Sequence, residues 1–235
     1  MDLTGTAGDP ASRIHRLDPR AKIIALLGIT VVAVSTPLEH WPVYVACAAA
    51  LAACAALARV RPADIWHRVR IVLPLVLLTA VLLPLARSDG LAIFAEVAAK
   101  ALIGTTSAAL LAATTPFTAV LRGLEALRVP RLLVQIAAFM YRYLFVIAAE
   151  LGRMRSALLA RGYRPRHPFH AAPAGRVASA LFLRTYGRGE RVYQAMLARG
   201  YRGTMPYATP LAFGRADALF VAAVVLAVVP VRLVA

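Results

Sequence analysis

Apolar runs of roughly 16–23 residues, separated by clusters of arginine, constrain this chain more than any other feature, because runs of that length are what a bilayer core demands of a helix. They begin near Ala21, Val43, Ile71, Leu91 and Ala216. With 60% hydrophobic residues, a mean hydropathy of +0.69 and a formal net charge of +16, the 235-residue chain reads as all-α and polytopic, its cations lying in cytoplasmic loops. Arginine supplies nearly all of the charge, since Lys22 and Lys100 are the only lysines. A nucleic-acid binder can share the pI of about 11.2 but not the apolar runs, so no nucleic-acid partner is expected.

The arginines orient the runs. Arg13, Arg16, Arg20 and Lys22 mark the start of the first helix, about 21–36, as cytoplasmic. Asp18 suits its N-cap and Pro19 its first turn. The link 37–42 carries no Lys or Arg and holds Trp41, as expected outside, and a second helix runs over about 43–58. Arg59, Arg61, Arg68 and Arg70 bring the chain back inside, with Trp66 as an interfacial anchor. A third helix covers about 71–86 and a fourth about 91–113, joined by the tight outer turn 87–90. A last run, 216–230, makes the fifth crossing. The first 20 residues show no charged, apolar and cleavage-site succession of a signal peptide, so the first helix is expected to direct insertion itself. Cys47 and Cys54 share a face of helix two but lie about 10 Å apart along its axis, too far for a disulfide; they are expected to be small packing residues.

Two places carry charge inside apolar sequence. Glu96 and Lys100 stand four residues apart in helix four, a spacing that allows an ion pair, and are expected to be structural. The run 132–149 is long enough to cross, yet spanning would set Arg142 near the midplane at a cost of about 2.5–3.5 kcal/mol. It would also carry eleven arginines between residues 153 and 202 to the outside. This helix is therefore expected to lie along or beneath the membrane.

The expected organisation is thus five transmembrane helices plus a three-helix cytoplasmic domain. Residues 1–114 hold the cytoplasmic lead-in and crossings one to four, 115–210 the cytoplasmic domain, and 211–235 the final crossing. Within 115–210, Thr115 is a candidate cap for a short amphipathic helix to Arg128, Val129-Pro130 interrupts, a second helix runs from near Arg131 to Arg161, and a third from about Gly175 to Arg199.

One stretch of this domain occurs twice. Ser156-Ala-Leu-Leu-Ala-Arg-Gly-Tyr-Arg164 returns 38 residues later as Gln194-Ala-Met-Leu-Ala-Arg-Gly-Tyr-Arg202, so Ala160-Arg161-Gly162 and Ala198-Arg199-Gly200 are two copies of one device. Each reads as a helix end. Leu151, Met154, Leu158 and Arg161, and Val192, Met196 and Arg199, fall at helical spacing, and each glycine suits a C′ position with φ > 0. Each end offers a guanidinium beside apolar side chains, a form that docks into a partner's groove.

No catalytic chemistry stands out. There is no Gly-rich phosphate loop, no Gly-x-Ser-x-Gly, no HExxH and no carboxylate dyad. His167 and His170 flank a proline without nearby Cys or carboxylate, so no metal site is expected. The chain reads as a non-enzyme that binds no cofactor itself.

The doubled motif, with Ala113-Thr-Thr-Pro116, Leu127-Arg-Val-Pro130, Tyr141-Arg142-Tyr143, the segment 189–203 and the Leu17-Asp-Pro-Arg-Ala-Lys22 lead-in, resembles the transmembrane T component of energy-coupling factor (ECF) transporters, which are ABC-type importers, in its cobalt/nickel (CbiQ-type) branch. The likeness spans nearly the whole chain. It implies a multi-pass subunit of the cell (inner) membrane that joins two ABC-type ATPase subunits, which hold ATP-Mg, to a membrane S component that captures substrate. Ala160, Arg161, Gly162, Ala198, Arg199 and Gly200 would then contact the ATPases. A T component for a vitamin, a stand-alone secondary transporter using Glu96 and Lys100, and an anionic-lipid or nucleic-acid binder spread over many arginines are the competing readings. In the last, affinity would fall steeply with salt.

Overall fold

The structure is a computed structural model that describes residues 14, 17–78, 90–163, 172–203 and 213–234. The regular elements among these residues are helices, with no strand. The chain divides into two compact units, residues 1–128 with 210–235, and residues 129–209.

The first unit is arranged around α1 (Pro19–Ser35). Asp18 caps it as its sequence predicts, accepting the Arg20 N–H at 2.9 Å, and Pro19 sits in the first turn. One face of α1 (Ala21, Ala25, Leu26, Ile29, Ala33) is buried, while Ile24, Leu27, Val31 and Val34 on the other are 42–60% exposed. A helix apolar all round suits lipid on one side and protein on the other. Against the buried face pack α2 (Trp41–Leu57), α4 (Gly90–Thr114) and α8 (Arg215–Val234).

Between apolar helices in lipid the attraction is close packing, with interhelical hydrogen bonds averaging only about 0.6 kcal/mol. Small residues accordingly line the contacts: Ala25 and Ala33 on α1, Cys47 and Cys54 on α2, and Gly104 on α4, beside the Thr30 methyl of α1. Both cysteines are buried free thiols, 0% and 5% exposed, as packing residues should be. Ser107 of α4 donates to the Leu26 carbonyl at 2.8 Å.

A short helix, α3 (Pro62–Val69), packs on α4 and leaves Trp66 exposed. A helical turn follows over residues 73–78, and the remainder of the third expected crossing lies outside the described residues. The next helix, α5 (Phe117–Ala126), starts at Pro116 rather than at Thr115: no side chain caps it, and Thr115 is buried beside Thr114. It packs on α1, where a Cβ on Gly123 would stand 2.9 Å from Ile23 Cδ1 and 3.2 Å from Pro19 Cβ. This contact places α5 in the first unit, and the second unit begins at Val129.

The second unit consists of α6 (Arg131–Ala160) and α7 (Ala172–Ala198). Residues successively later in α6 face residues successively earlier in α7 and the turn after it: Gln135 bonds Tyr201, Tyr143 and Gly189 line one cavity, Glu150 bonds Arg184, and Leu158 and Val177 line another. The pair is antiparallel.

By length and hydropathy, α4 over Ala92–Thr114 and α6 can each cross a membrane, whereas α2 is apolar but 17 residues long. Thus α6, which charge distribution argues against as a crossing, meets the length test. Its apolar window is only 6% buried within the protein.

Candidate functional site: two matched helix ends

The two copies of the repeated motif end α6 and α7 in the same way. Gly162 has φ +79° and Gly200 φ +81°, the left-handed conformation that costs an L-residue about 1–2 kcal/mol. Tyr163 N–H reaches back to the Leu158 carbonyl at 3.1 Å and Gly162 N–H to Leu159 at 3.0 Å. At the other end Tyr201 N–H bonds Met196 at 3.0 Å and Gly200 N–H bonds Leu197 at 2.9 Å. Both are Schellman motifs, which satisfy carbonyls the helix leaves open.

This geometry refines the role read for each residue. Arg161 and Arg199 occupy the C-cap position itself, one residue past the last helical turn, and are exposed. The tyrosine after each glycine folds back beside the residue that accepts its N–H, so Tyr163 lines a cavity with Leu158, and Tyr201 lines one with Met196. Sequence reasoning passed over these tyrosines, although Arg-Gly-Tyr-Arg in both copies was the signal for them.

Because α6 and α7 are antiparallel, the two arginines stand at opposite ends of the pair. Each end is braced by the other helix. Tyr201 Oη donates to Gln135 Oε1 at 2.9 Å, and Gln135 Nε2 donates to the Gly203 carbonyl at 2.8 Å, which ties the end of α7 to the start of α6. At the other end Pro173 and Arg176 of α7 flank Arg161 and Tyr163. Midway, Glu150 accepts hydrogen bonds from Arg153 of its own helix and from Arg184 of α7, the latter at 2.6 Å. Those two guanidiniums hold its carboxyl below the usual glutamate range.

The other charged pair formed as its spacing predicted. Lys100 Nζ stands 2.6 Å from Glu96 Oε1, both side chains partly exposed. Lys100 lies by the Tyr44 hydroxyl, which donates to the Thr36 carbonyl at 2.6 Å, so the pair sits where α4 passes the turn between α1 and α2. Among the described residues no group of three or more His, Cys, Asp or Glu is placed to hold a metal, and His167 and His170 lie outside them.

One cluster has no counterpart in the sequence reading. Asp217, in the first turn of α8, accepts the Gly214 N–H at 2.8 Å and, across 199 residues of sequence, the Asp18 N–H at 2.7 Å. Lys22 is buried beside it and donates to the Thr114 carbonyl at the end of α4 at 3.1 Å. One carboxylate and one ammonium therefore join the ends of α1, α4 and α8. Sequence reads Asp18 as a cap and Lys22 as a cytoplasmic charge and gives Asp217 no role, because nothing local links the three.

An all-helical fold with a lipid-suited helix core, beside a separate two-helix unit with matched arginine-capped ends, is that of a helical membrane protein. Comparison with known proteins gives the family. Residues 10–208 match the CbiQ family, described as cobalt transport protein, and the chain belongs to that family. It is 34% identical over 178 residues to the cobalt transport protein CbiQ of Rhodobacter capsulatus, covering 71% of this chain and 72% of that one. It is also 26% identical over 203 residues to the fused cobalt transport protein CbiMQ of Methanocorpusculum labreanum, covering 78% of this chain but only 34% of that protein. The chain thus spans about a third of the fused relative's length.

Proposed function

We propose that this chain is the energy-coupling T component of an ECF-type ABC importer for cobalt or nickel. It sits in the cell membrane with its N-terminus in the cytoplasm and binds no cofactor itself. Two partner ATPase subunits hold ATP-Mg and hydrolyse it, and a membrane S component captures the metal, which is substrate and not a resident of this chain. Family membership supports a cobalt transport role. The observation that carries the coupling reading is the pair of Schellman ends at opposite ends of one antiparallel helix pair, each displaying an arginine at its C-cap.

Physically, two similar helix ends suit two similar partners. A guanidinium at a helix C-terminus is favoured by the helix dipole and presents a rigid fork of donors to a carboxylate. Closure of two ATPase subunits on nucleotide would move the two ends together or apart, and the Glu150–Arg184 link between the helices carries that displacement from one to the other. In this reading α6 does not cross the membrane, since the unit it belongs to carries thirteen arginines and two glutamates.

The test is co-purification from detergent with the candidate ATPase subunits. Wild type is expected to retain them and the Arg161→Glu/Arg199→Glu double variant to lose them while remaining folded and membrane-inserted. Unchanged retention by the double variant overturns the coupling role.

A further inference from the structure

The two helix ends share a backbone but not a chemical setting. Beside the α6 end lies a cavity of about 510 Å³ lined by three arginines, Arg161, Arg176 and Arg184, together with Tyr163 and Pro173. The cavity beside the α7 end, about 310 Å³, has no charged residue in its lining; Ile136, Phe139, Val192 and Met196 form it, with Gln135 and Tyr201 as its hydrogen-bonded polar edge.

The three guanidiniums of the first cavity are not equally committed. Arg184 is bonded to Glu150. Arg161 and Arg176 have no hydrogen-bond or ion-pair partner for their guanidiniums among the described residues. Two uncommitted cations on one cavity repel each other, and an anion between them removes that repulsion while gaining charge-assisted hydrogen bonds from both. Within the second unit the acidic residues are Glu150 and Glu190; the first already serves Arg153 and Arg184, and neither lines the cavity.

We propose that the cavity at the end of α6 is an anion cradle in which Arg161 and Arg176 together receive an acidic side chain of one ATPase subunit, while the end of α7 offers its partner an apolar seat with Arg199 as a single cation. This rests on the coupling function proposed above and adds that the two grips are not equivalent. Charge complementarity selects the occupant: an acidic side chain suits the cavity that Arg161 and Arg176 line, and apolar side chains suit the other. Arg176 is a partner-recognising residue, and Glu150 is the positioning residue that draws Arg184 towards α6.

The test uses the whole transporter complex in detergent. ATPase subunit retained per copy of this chain is measured across increasing salt for wild type, Arg176→Gln, Arg176→Lys, and the Arg161→Glu/Arg199→Glu pair. Arg176→Gln is expected to weaken retention roughly tenfold, the loss of one charge-assisted hydrogen bond, and to flatten its salt dependence, with Arg176→Lys recovering part of both. Arg176 makes no side-chain bond among the described residues, so the helicity and elution position of the Arg176→Gln variant should match wild type. If Arg176→Gln retains ATPase like wild type while the double arginine variant loses it, the cradle is wrong and the coupling role stands. If all variants retain it, both are wrong. Flotation on phosphatidylcholine vesicles with and without phosphatidylglycerol forms the second arm. Binding to the anionic vesicles that depends on Arg176, with ATPase retention unchanged, assigns the cradle to lipid and overturns the proposal.

Discussion

Glu150 of α6 accepts a hydrogen bond from Arg184 of α7 at 2.6 Å, and this ion pair joins the two helices about midway between their arginine-capped ends. Because Arg153 and Arg184 lower the carboxyl's pKa, the link is fully present above the ordinary glutamate value of about 4.3 and is lost as pH falls through the lower folded value. Nitroxide labels at Ser156 and Ser179, in a background lacking Cys47 and Cys54, should report one narrow distance at neutral pH. The distribution should broaden on acidification below the ordinary glutamate range, and Glu150→Gln should broaden it at neutral pH.

Gly162 and Gly200 are required by their backbone conformation and not by space, since a Cβ at either would meet nothing within 4 Å. Gly162→Ala and Gly200→Ala should each cost about 1–2 kcal/mol. Asparagine, which tolerates the left-handed region, should cost less. Thermal unfolding in detergent measures the difference, and an alanine as stable as wild type would contradict the φ values.

The brace at the α7 end predicts strong coupling between its members. Tyr201→Phe and Gln135→Ala should each destabilise by about 0.5–1.5 kcal/mol, and the double variant by less than their sum, because both remove the same 2.9 Å bond. A double-mutant cycle on unfolding midpoints checks this, and strict additivity would rule the brace out.

Asp217 answers two backbone N–H groups, one just before α1 and one just before α8. Asp217→Ala leaves the buried Asp18 N–H without its acceptor and should cost about 3 kcal/mol, with Asp217→Asn recovering part. The apparent unfolding temperature of the purified protein is the measurement.

Close approach of α5 to α1 depends on Gly123. Gly123→Val should destabilise by about 1–3 kcal/mol through overpacking against Ile23 and Pro19. Ile23→Ala should relieve part of it, because Ile23 Cδ1 is the nearer obstacle and the end of a flexible side chain. Unfolding midpoints of the single and paired variants decide it.

Everything that sequence determined by itself here is local. Asp18 and Pro19 announce the start of α1, glycines 162 and 200 announce two left-handed stops, and Glu96 with Lys100 forms the pair that one helical turn brings together, because each depends on residues within a few positions of one another. The repeat adds that two helix ends are alike, but not that an antiparallel pairing sets them at opposite ends. Tertiary structure alone decided that Asp217 would bond Asp18, that Glu150 would find Arg184, that α5 would pack on α1, and that one arginine-capped end would border a basic cavity and the other an apolar one. Those choices join residues 34 to 199 positions apart. Periodicity reports which face of a helix is apolar; only the packing of one helix on another selects which side chain that face will meet.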